Sequence, residues 1–308
     1  MPRGFVRIIK DTMIIANPIY DVVFKRLMEN QRIATFFIET LTGETVLDIH
    51  LKPQEFTYND RLAGVAVYRL DFVATIKVGE NEHKKVLIEI QKAKNAVDLM
   101  RFRNYLAEQY KKEDDVYVDT GLSKQALPII TIYLLGFRLD INAVVIKVDR
   151  QYVDLMTNEV IDQKSDFIEK LTHDCFIVQI PRIQPRLKSR LDMLLSLFEQ
   201  NYFVDQNEIT KKYNYPVDDD LLKEMIQILH HAGTDPDERL ELEKEQEALR
   251  VFEVGMGGLK RTIEEKNKAL VEKEEALSEK EKALVEKERA IAEQNKLIEE
   301  LRKKLKDQ

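Results

Sequence analysis

The chain has 308 residues, of which 44% are hydrophobic and 33% are charged. This length suffices for one large core with accessory segments or for two small domains, and the high charged fraction indicates a long solvated element. The 55 acidic and 48 basic residues give a net charge of −7. That balance argues against a general polyanion binder with positive charge over its whole surface, although it leaves room for a local basic patch.

The cysteine content and the hydropathy pattern indicate where the protein resides. A single cysteine, Cys175, allows no intramolecular disulfide and favours a reducing compartment. The apolar runs near the N-terminus are too short for a signal peptide, and no segment reaches the roughly 18 consecutive apolar residues of a membrane span. We therefore expect a soluble, cytoplasmic protein without a membrane partner.

Hydrophobic periodicity predicts a mixed α/β fold for residues 1–258. In chain order, the predicted elements are a helix at 19–42, strands at 48–58, 66–78 and 84–92, a helix at 96–113, strands at 127–137, 144–148 and 175–181, and helices at 185–202, 218–232 and 236–254. The polar turn GENEHK joins the strands at 66–78 and 84–92 into a hairpin.

The composition changes abruptly at Leu259, after which Gly, Pro and aromatic residues are absent. Large apolar residues then recur every seven positions, at Ile263, Leu270, Leu277, Leu284, Ile291, Ile298 and Leu305. This spacing predicts a long helix with one apolar seam, but lysines occupy most of the positions three residues further on, where a strong coiled coil needs a second apolar residue. The pattern favours weak self-association, best formed near Ile291 to Leu305, and leaves open a single solvated helix held by Glu/Lys pairs.

Carboxylates interrupt both strands of the predicted hairpin. Asp71 lies within YRLDFVATI, and Glu89 and Gln91 lie within LIEIQKAK. A turn around residues 79–82 brings Asp71 opposite Glu89 or its neighbour, where like charges repel. Because Mg²⁺ is commonly held by one or two carboxylates, the spacing predicts a metal site.

A structural interpretation of these carboxylates competes with the metal site. A register shifted by one residue would place them on opposite faces of the hairpin, and edge strands often carry isolated charges without a function. Spacing alone leaves both interpretations open.

Five stretches in order resemble the PD-(D/E)xK nuclease superfamily, and in particular its branch of recombination-promoting nucleases and transposases. They are DVVFK at 21–25, LDFVA at 70–74, IEIQ at 88–91, MRFRNYLAEQY at 100–110 and LPIITIYLLGF at 127–137. The resemblance covers about residues 17 to 182. IEIQ carries a glutamine where most relatives carry a lysine.

The resemblance implies a restriction-endonuclease-like core, a mixed central sheet flanked by helices, that hydrolyses DNA phosphodiesters with a metal. By this resemblance Asp71 and Glu89 bind Mg²⁺ or Mn²⁺, helped by the backbone carbonyl of Ile90. Gln91 orients the attacking water or the phosphate, and Asp21 is a candidate third acidic ligand.

Double-stranded DNA is the partner that this resemblance implies. Lys92 and Arg101 belong to a basic cluster after IEIQ, suited to phosphate contacts. Tyr105 lies four residues after Arg101 on the same helical face, and Lys25 closes the DVVFK stretch. We assign these four residues to DNA binding.

The predicted organisation has three parts. They are a nuclease-like core at 1–182, a helical accessory region at 183–258 and a charged heptad-repeat helix at 259–308 that forms a homo-oligomer. Because Gln91 lacks the positive charge of a lysine, a second function remains open. That alternative is a catalytically inactive nuclease-fold scaffold that binds DNA or protein and oligomerises through its C-terminal helix.

Overall fold

The structure is a computed structural model that describes residues 12–52, 55–60, 64–69, 72–92, 96–118 and 121–306. The chain divides into two compact units, Met1–Gln246 and Glu247–Gln308. The first unit is mixed α/β, and the second consists of the greater part of one long helix.

The helices and strands follow one another in the order that hydrophobic periodicity predicts for most of the chain. The helices are α1 (Asp21–Glu29), α2 (Gln31–Thr42), α3 (Ala96–Lys111), α4 (Asp166–Leu171), α5 (Arg190–Ser196), α6 (Asp220–Thr234) and α7 (Pro236–Lys306). The strands are β1 (Met13–Ala16), β2 (Asp48–Leu51), β3 (Glu55–Asp60), β4 (Gly64–Arg69), β5 (Phe72–Lys77), β6 (His83–Gln91), β7 (Asp114–Val118), β8 (Gly121–Gln125), β9 (Ile129–Leu135), β10 (Val145–Val148), β11 (Tyr152–Asp154), β12 (Glu159–Ile161), β13 (His173–Gln179) and β14 (Thr210–Tyr213).

A mixed central sheet of six strands, flanked by helices, organises the first unit. Its strand order is β10-β13-β9-β6-β5-β2. The polar turn at 78–82 lets β5 and β6 pair antiparallel, whereas β6 pairs parallel with β9, and β9 with β13. A parallel neighbour requires a long crossover, and α3 lies in the chain between β6 and β9.

Aromatic side chains dominate two parts of the core. Phe24 of α1, Phe37 of α2 and Phe198 form a triangle of rings with centroids 5.7 to 6.4 Å apart. On the sheet, Phe102 and Tyr105 of α3 pack with a set of buried apolar residues from three strands, Val73, Leu87 and Ile129. Burial of these aromatic side chains contributes to the hydrophobic stabilisation of the unit.

The helix predicted over 19–42 is two helices, because Asn30 interrupts it. Asn30 adopts an extended conformation, and its side chain accepts hydrogen bonds from the N–H groups of Arg32 and Ile33. Asparagine is a strong N-cap, so it starts α2 rather than continuing α1. Gly43 ends α2 in the left-handed conformation at φ 75°, at the predicted stop.

The structure also corrects two predicted strands and one predicted helix. The segments predicted as single strands at 48–58 and 66–78 each contribute to two strands, and β3 and β4 form a ladder of their own. The helix predicted at 185–202 is confined to α5, because Ser189 caps it and the chain beyond it turns back to pair Phe203 with Lys211 of β14.

The C-terminal part of the chain is one continuous helix. α7 spans 71 residues, so the helix predicted at 236–254 and the heptad segment after Leu259 are a single element. Gly255 and Gly258 lie within it. The seam residues of the second unit, Ile263 to Ile298, are each about half exposed in this single chain.

Candidate functional site

Strand β6 carries the predicted catalytic carboxylate into the interior of the sheet. Glu89 has only 3% of its surface exposed. It lies in register with Tyr133 of β9 and alternates along the strand with the buried residues Ile88 and Ile90. Burial, reinforced by the neighbouring Cys175 and Glu89 side chains, raises the pKa of Tyr133 well above its usual range, so this tyrosine stays protonated beside the carboxylate.

The register of the β5–β6 hairpin is confirmed for the described residues. Phe72 pairs with Ile88 and Val73 with Leu87, the alignment expected from a turn around residues 79–82. Asp71, the expected partner of Glu89, lies outside the described residues. The paired carboxylates therefore stay a prediction, while the alignment of the strands beside them is a finding.

The end of β6 is fixed by the neighbouring strand. The carbonyl oxygen of Gln91 accepts a hydrogen bond from the N–H of Gly136, at 2.8 Å. Gln91 is half-buried, and Ile90 is 8% exposed. The backbone at the end of β6 is thus held by Gly136, the residue that follows β9.

Helix α1 brings Asp21 and Lys25 together on one face. The Nζ atom of Lys25 lies 2.6 Å from Oδ2 of Asp21, one helical turn away. The other carboxylate oxygen, Oδ1, is buried and has no hydrogen-bond partner among the described residues. An acceptor atom in that position is chemically suited to a cation or to a donor group of a ligand.

Glu245 of α7 links α1 to the end of β6. Its Oε1 atom accepts hydrogen bonds from the N–H of Asp21, at 2.8 Å, and from Nζ of Lys92, at 2.7 Å. Its Oε2 atom accepts from the N–H of Val22, at 3.1 Å. The Lys92 ammonium group also lies 4.3 Å from the centre of the Tyr20 ring. One carboxylate thereby links the DVVFK stretch to the residue that follows IEIQ.

Sequence reasoning missed Glu245, although one local signal was present. The residue before α1 is Tyr20, whose hydroxyl donates to the carbonyl oxygen of Asn207 and which gives the helix no side-chain cap. A helix that starts without a capping acceptor needs one from elsewhere. Glu245 supplies this acceptor from 224 positions beyond Asp21, and a local sequence pattern cannot identify a partner so far along the chain.

The residues assigned to DNA binding differ in their surroundings. Lys25 and Lys92 are both engaged in ion pairs, with side chains 17% and 23% exposed. Tyr105 is 3% exposed and packs in the core beneath α3, so it has almost no surface to offer to DNA. Arg101 belongs to α3, and its side chain lies outside what the structure describes.

The described residues contain neither a cluster of metal-ligating side chains nor a helix able to span a membrane. That part of the chain contains no group of three or more His, Cys, Asp or Glu residues arranged to hold a metal ion, and Asp71 lies outside it. No described helix is long and apolar enough to cross a membrane. The expected Mg²⁺ or Mn²⁺ ligand pair stays a prediction.

A polar cleft of about 550 Å³ lies apart from these residues. Its lining includes Lys84, Lys147, Arg150, Glu169 and Asp174, and among the described lining residues there is no predicted site residue. Arg150 forms ion pairs with Glu169 and Asp174, at 2.7 and 2.9 Å. The charges that line this cleft are thus largely neutralised by one another.

Comparison of the chain with family models, with curated proteins and with solved structures finds no match.

Proposed function

We propose that this protein is a metal-dependent DNA endonuclease with a restriction-endonuclease-like core, acting in recombination or transposition. The observation that carries the proposal is Glu89, a carboxylate with 3% exposure on an inner strand of the central sheet. It belongs to the β5–β6 hairpin, in which Phe72 pairs with Ile88. A divalent cation bound by this carboxylate would offset part of the free-energy cost of burying its charge.

The residues nearby fit a hard divalent cation. Asp71 immediately precedes Phe72, the residue that pairs with Ile88. Asp71 and Glu89 would hold Mg²⁺ or Mn²⁺, with the Ile90 carbonyl as a further oxygen ligand. Asp21 Oδ1, buried and without a hydrogen-bond partner among the described residues, supports Asp21 as a third acidic ligand. When bound, the cation supplies an activated water and stabilises negative charge on the phosphate.

The chain's own groups would position the substrate around that centre. The half-buried Gln91, held by Gly136 through its backbone, would orient the attacking water or the scissile phosphate. Lys92, Lys25 and Arg101 would contact phosphates of double-stranded DNA, which fixes the register of the duplex without reading its sequence.

Cleavage of supercoiled plasmid tests the proposal. We expect the purified chain to nick plasmid with Mg²⁺ or Mn²⁺ and not with EDTA, and we expect Glu89→Gln and Asp71→Asn to abolish nicking because each removes a ligand charge. Glu80→Gln, an exposed carboxylate in the turn of the same hairpin, is the matched control and should cut like wild type. Nicking by Glu89→Gln at the wild-type rate would show that the site is wrongly assigned.

A second candidate function is the catalytically inactive scaffold that binds DNA or protein and oligomerises. The exposed apolar seam of α7 and the engagement of Lys92 by Glu245 favour it. Titration calorimetry separates the two functions. Mn²⁺ binding that vanishes in Asp71→Asn counts against the scaffold, whereas the absence of both Mn²⁺ binding and nicking in folded wild type supports it.

A further inference from the structure

Two rows of opposite charge flank the apolar seam of α7. The lysine row follows the seam residues by three positions and consists of Lys266, Lys273, Lys280 and Lys287. The glutamate row follows them by four positions and consists of Glu274, Glu281 and Glu288. Because an α-helix turns by about 100° per residue, the lysine row lies about 60° to one side of the seam and the glutamate row about 40° to the other. All of these side chains are exposed in the single chain.

The charges of the two rows have no opposite charge to pair with on their own helix. Ion pairs along a helix surface join residues three or four positions apart. Around Lys273 those positions hold Ala269, Leu270, Ala276 and Leu277, and around Glu274 they hold Leu270, Val271, Leu277 and Ser278. The other members of both rows likewise have only neutral residues at these spacings.

Charges farther from the seam differ from the two rows in this respect. Glu272 follows Lys268 by four positions, and Glu293 follows Arg289 by four. Such pairs stabilise a solvated helix without a partner. They account for the charges on the far side of α7, whereas the rows beside the seam have a use for their charges only across an interface.

Two copies that pack seam to seam in parallel bring opposite charges together. A twofold axis parallel to the helices places the lysine row of each copy beside the glutamate row of the other. With the seams in register, Lys273 faces Glu274 of the second copy, and Lys280 faces Glu281 of the second copy. An antiparallel pair reverses the side on which each row lies, so that lysines face lysines and glutamates face glutamates. Charge complementarity therefore selects the parallel pair.

We propose that the second unit binds a second copy of this chain as a parallel, in-register pair of helices. The half-exposed seam side chains, such as Leu277 and Leu284, supply the affinity. The lysine stems cover the edge of the seam, and the two rows set the orientation, since each exposed ion pair contributes little by itself. This inference rests on the oligomerisation that belongs to the scaffold function, and it is independent of nuclease activity.

Disulfide formation between single cysteines in the seam tests the orientation. The background is the full-length chain with Cys175→Ser, so that each variant carries one thiol. Leu270→Cys and Ile291→Cys should each give a disulfide-linked dimer on mild oxidation, because equal positions meet across a parallel seam. In an antiparallel pair centred on the seam, Leu270 would lie opposite Ile291. A mixture of the two variants would then form the mixed disulfide, which mass spectrometry identifies.

Reversal of the rows tests the charges. Lys273→Glu with Lys280→Glu places glutamates opposite glutamates in the parallel pair and should weaken self-association at least about tenfold in sedimentation equilibrium. Adding Glu274→Lys with Glu281→Lys exchanges the two rows and should restore the wild-type association. In an antiparallel pair the first two substitutions would only replace facing lysines by facing glutamates and would leave the association unchanged.

Lys268→Glu with Lys282→Glu is the matched control. It changes the net charge by the same amount about 140° away from the seam and should keep the wild-type association. Circular dichroism verifies that each variant retains its helix. A mixed disulfide between positions 270 and 291 would reject the parallel pair and retain the oligomerisation of the scaffold function. A wild-type chain that sediments as a monomer would reject both.

Discussion

Gly136 lies directly against the backbone of Lys92. A Cβ atom at Gly136 would come within 2.6 Å of the Lys92 carbonyl oxygen and 3.0 Å of its Cα atom. The same glycine donates its N–H to the carbonyl oxygen of Gln91. The end of β9 therefore fixes the backbone on which Gln91 and Lys92 are presented, and only a residue without a side chain permits this approach.

Substitution of Gly136 should displace the backbone of Gln91 and Lys92, which Gly136 contacts. We expect Gly136→Ala to lower the free energy of unfolding by about 1–3 kcal/mol, because the added methyl group meets backbone atoms that cannot rotate away. It should also displace Lys92 from Glu245. Urea denaturation measures the first effect, and the Asp21 amide shift reports the second.

Gly255→Ala is the control for Gly136→Ala. A Cβ atom at Gly255 meets nothing within 4 Å, so alanine should be neutral or stabilise α7 by up to about 1 kcal/mol through helix propensity. Wild-type stability in Gly136→Ala would mean that the Lys92 carbonyl moves aside at little cost.

Loss of the buried ion pair between Lys85 and Asp114 should destabilise the protein more than Gly136→Ala does. The Nζ and Oδ2 atoms lie 2.6 Å apart, with side chains 2% and 11% exposed. Because Asp114→Asn leaves the Lys85 ammonium group buried without its counter-charge, we expect a loss of about 3–5 kcal/mol in the free energy of unfolding. Chemical denaturation measures it.

The exposed ion pair of Lys111 and Glu108 is the control for the buried pair of Lys85 and Asp114. Its lysine is 67% exposed, so Glu108→Gln should change stability by less than about 1 kcal/mol. A loss in Asp114→Asn no larger than that of Glu108→Gln would show that the Lys85 ammonium group finds water or another acceptor when Asp114 is neutralised.

How much of this molecule the sequence predicts depends on the range of the interactions involved. The β5–β6 hairpin register and the carboxylate on β6 follow from alternation and a short turn, which are local signals. The break at Asn30 was not predicted, because the apolar periodicity continues through it, whereas in the structure Asn30 caps α2. The contacts of Glu245 could not be predicted from local sequence patterns, because they join positions 153 to 224 residues apart and depend on how α7 packs.

Because Lys211 is buried, we expect the free energy of unfolding to rise with pH. Burial lowers its pKa from 10.5 to about 7, while the neighbouring Glu199 carboxylate acts in the opposite direction. Between these two values the unfolded chain binds a proton that the folded chain does not, so the free energy of unfolding increases with pH. Between pH 7 and 9 the free energy of unfolding should increase by about 2 kcal/mol, and well below pH 7 the contribution of Lys211 to it is constant.

Urea denaturation across pH 7 to 9 measures the effect of Lys211. This window ends below the range where Tyr213 and Tyr215 titrate, whose pKa values burial raises. Lys211→Met should remove most of the rise and be more stable than wild type at pH 7, whereas Lys212→Met, at the exposed neighbouring position, should keep the rise. Identical slopes in the two variants would assign the pH dependence to other groups.

The apolar seam of α7 predicts self-association. Leu277 and Leu284 are both 59% exposed in the single chain, and the heptad spacing of the seam continues from Ile263 to Ile298. Burial of these side chains against a second copy would stabilise a dimer or a larger species. Sedimentation equilibrium should therefore give a mass above that of one chain, and deletion of residues 259–308 should give a monomer.

Paired substitutions distinguish the seam from a general charge effect. Leu277→Lys with Leu284→Lys should dissociate the oligomer, because lysines on the seam face one another across the interface. Glu272→Lys with Glu279→Lys places the same side chain on the opposite face of the helix and should leave the mass unchanged. A wild-type mass equal to one chain would instead identify the second unit as a single solvated helix, held by its Glu/Lys pairs along the helix surface.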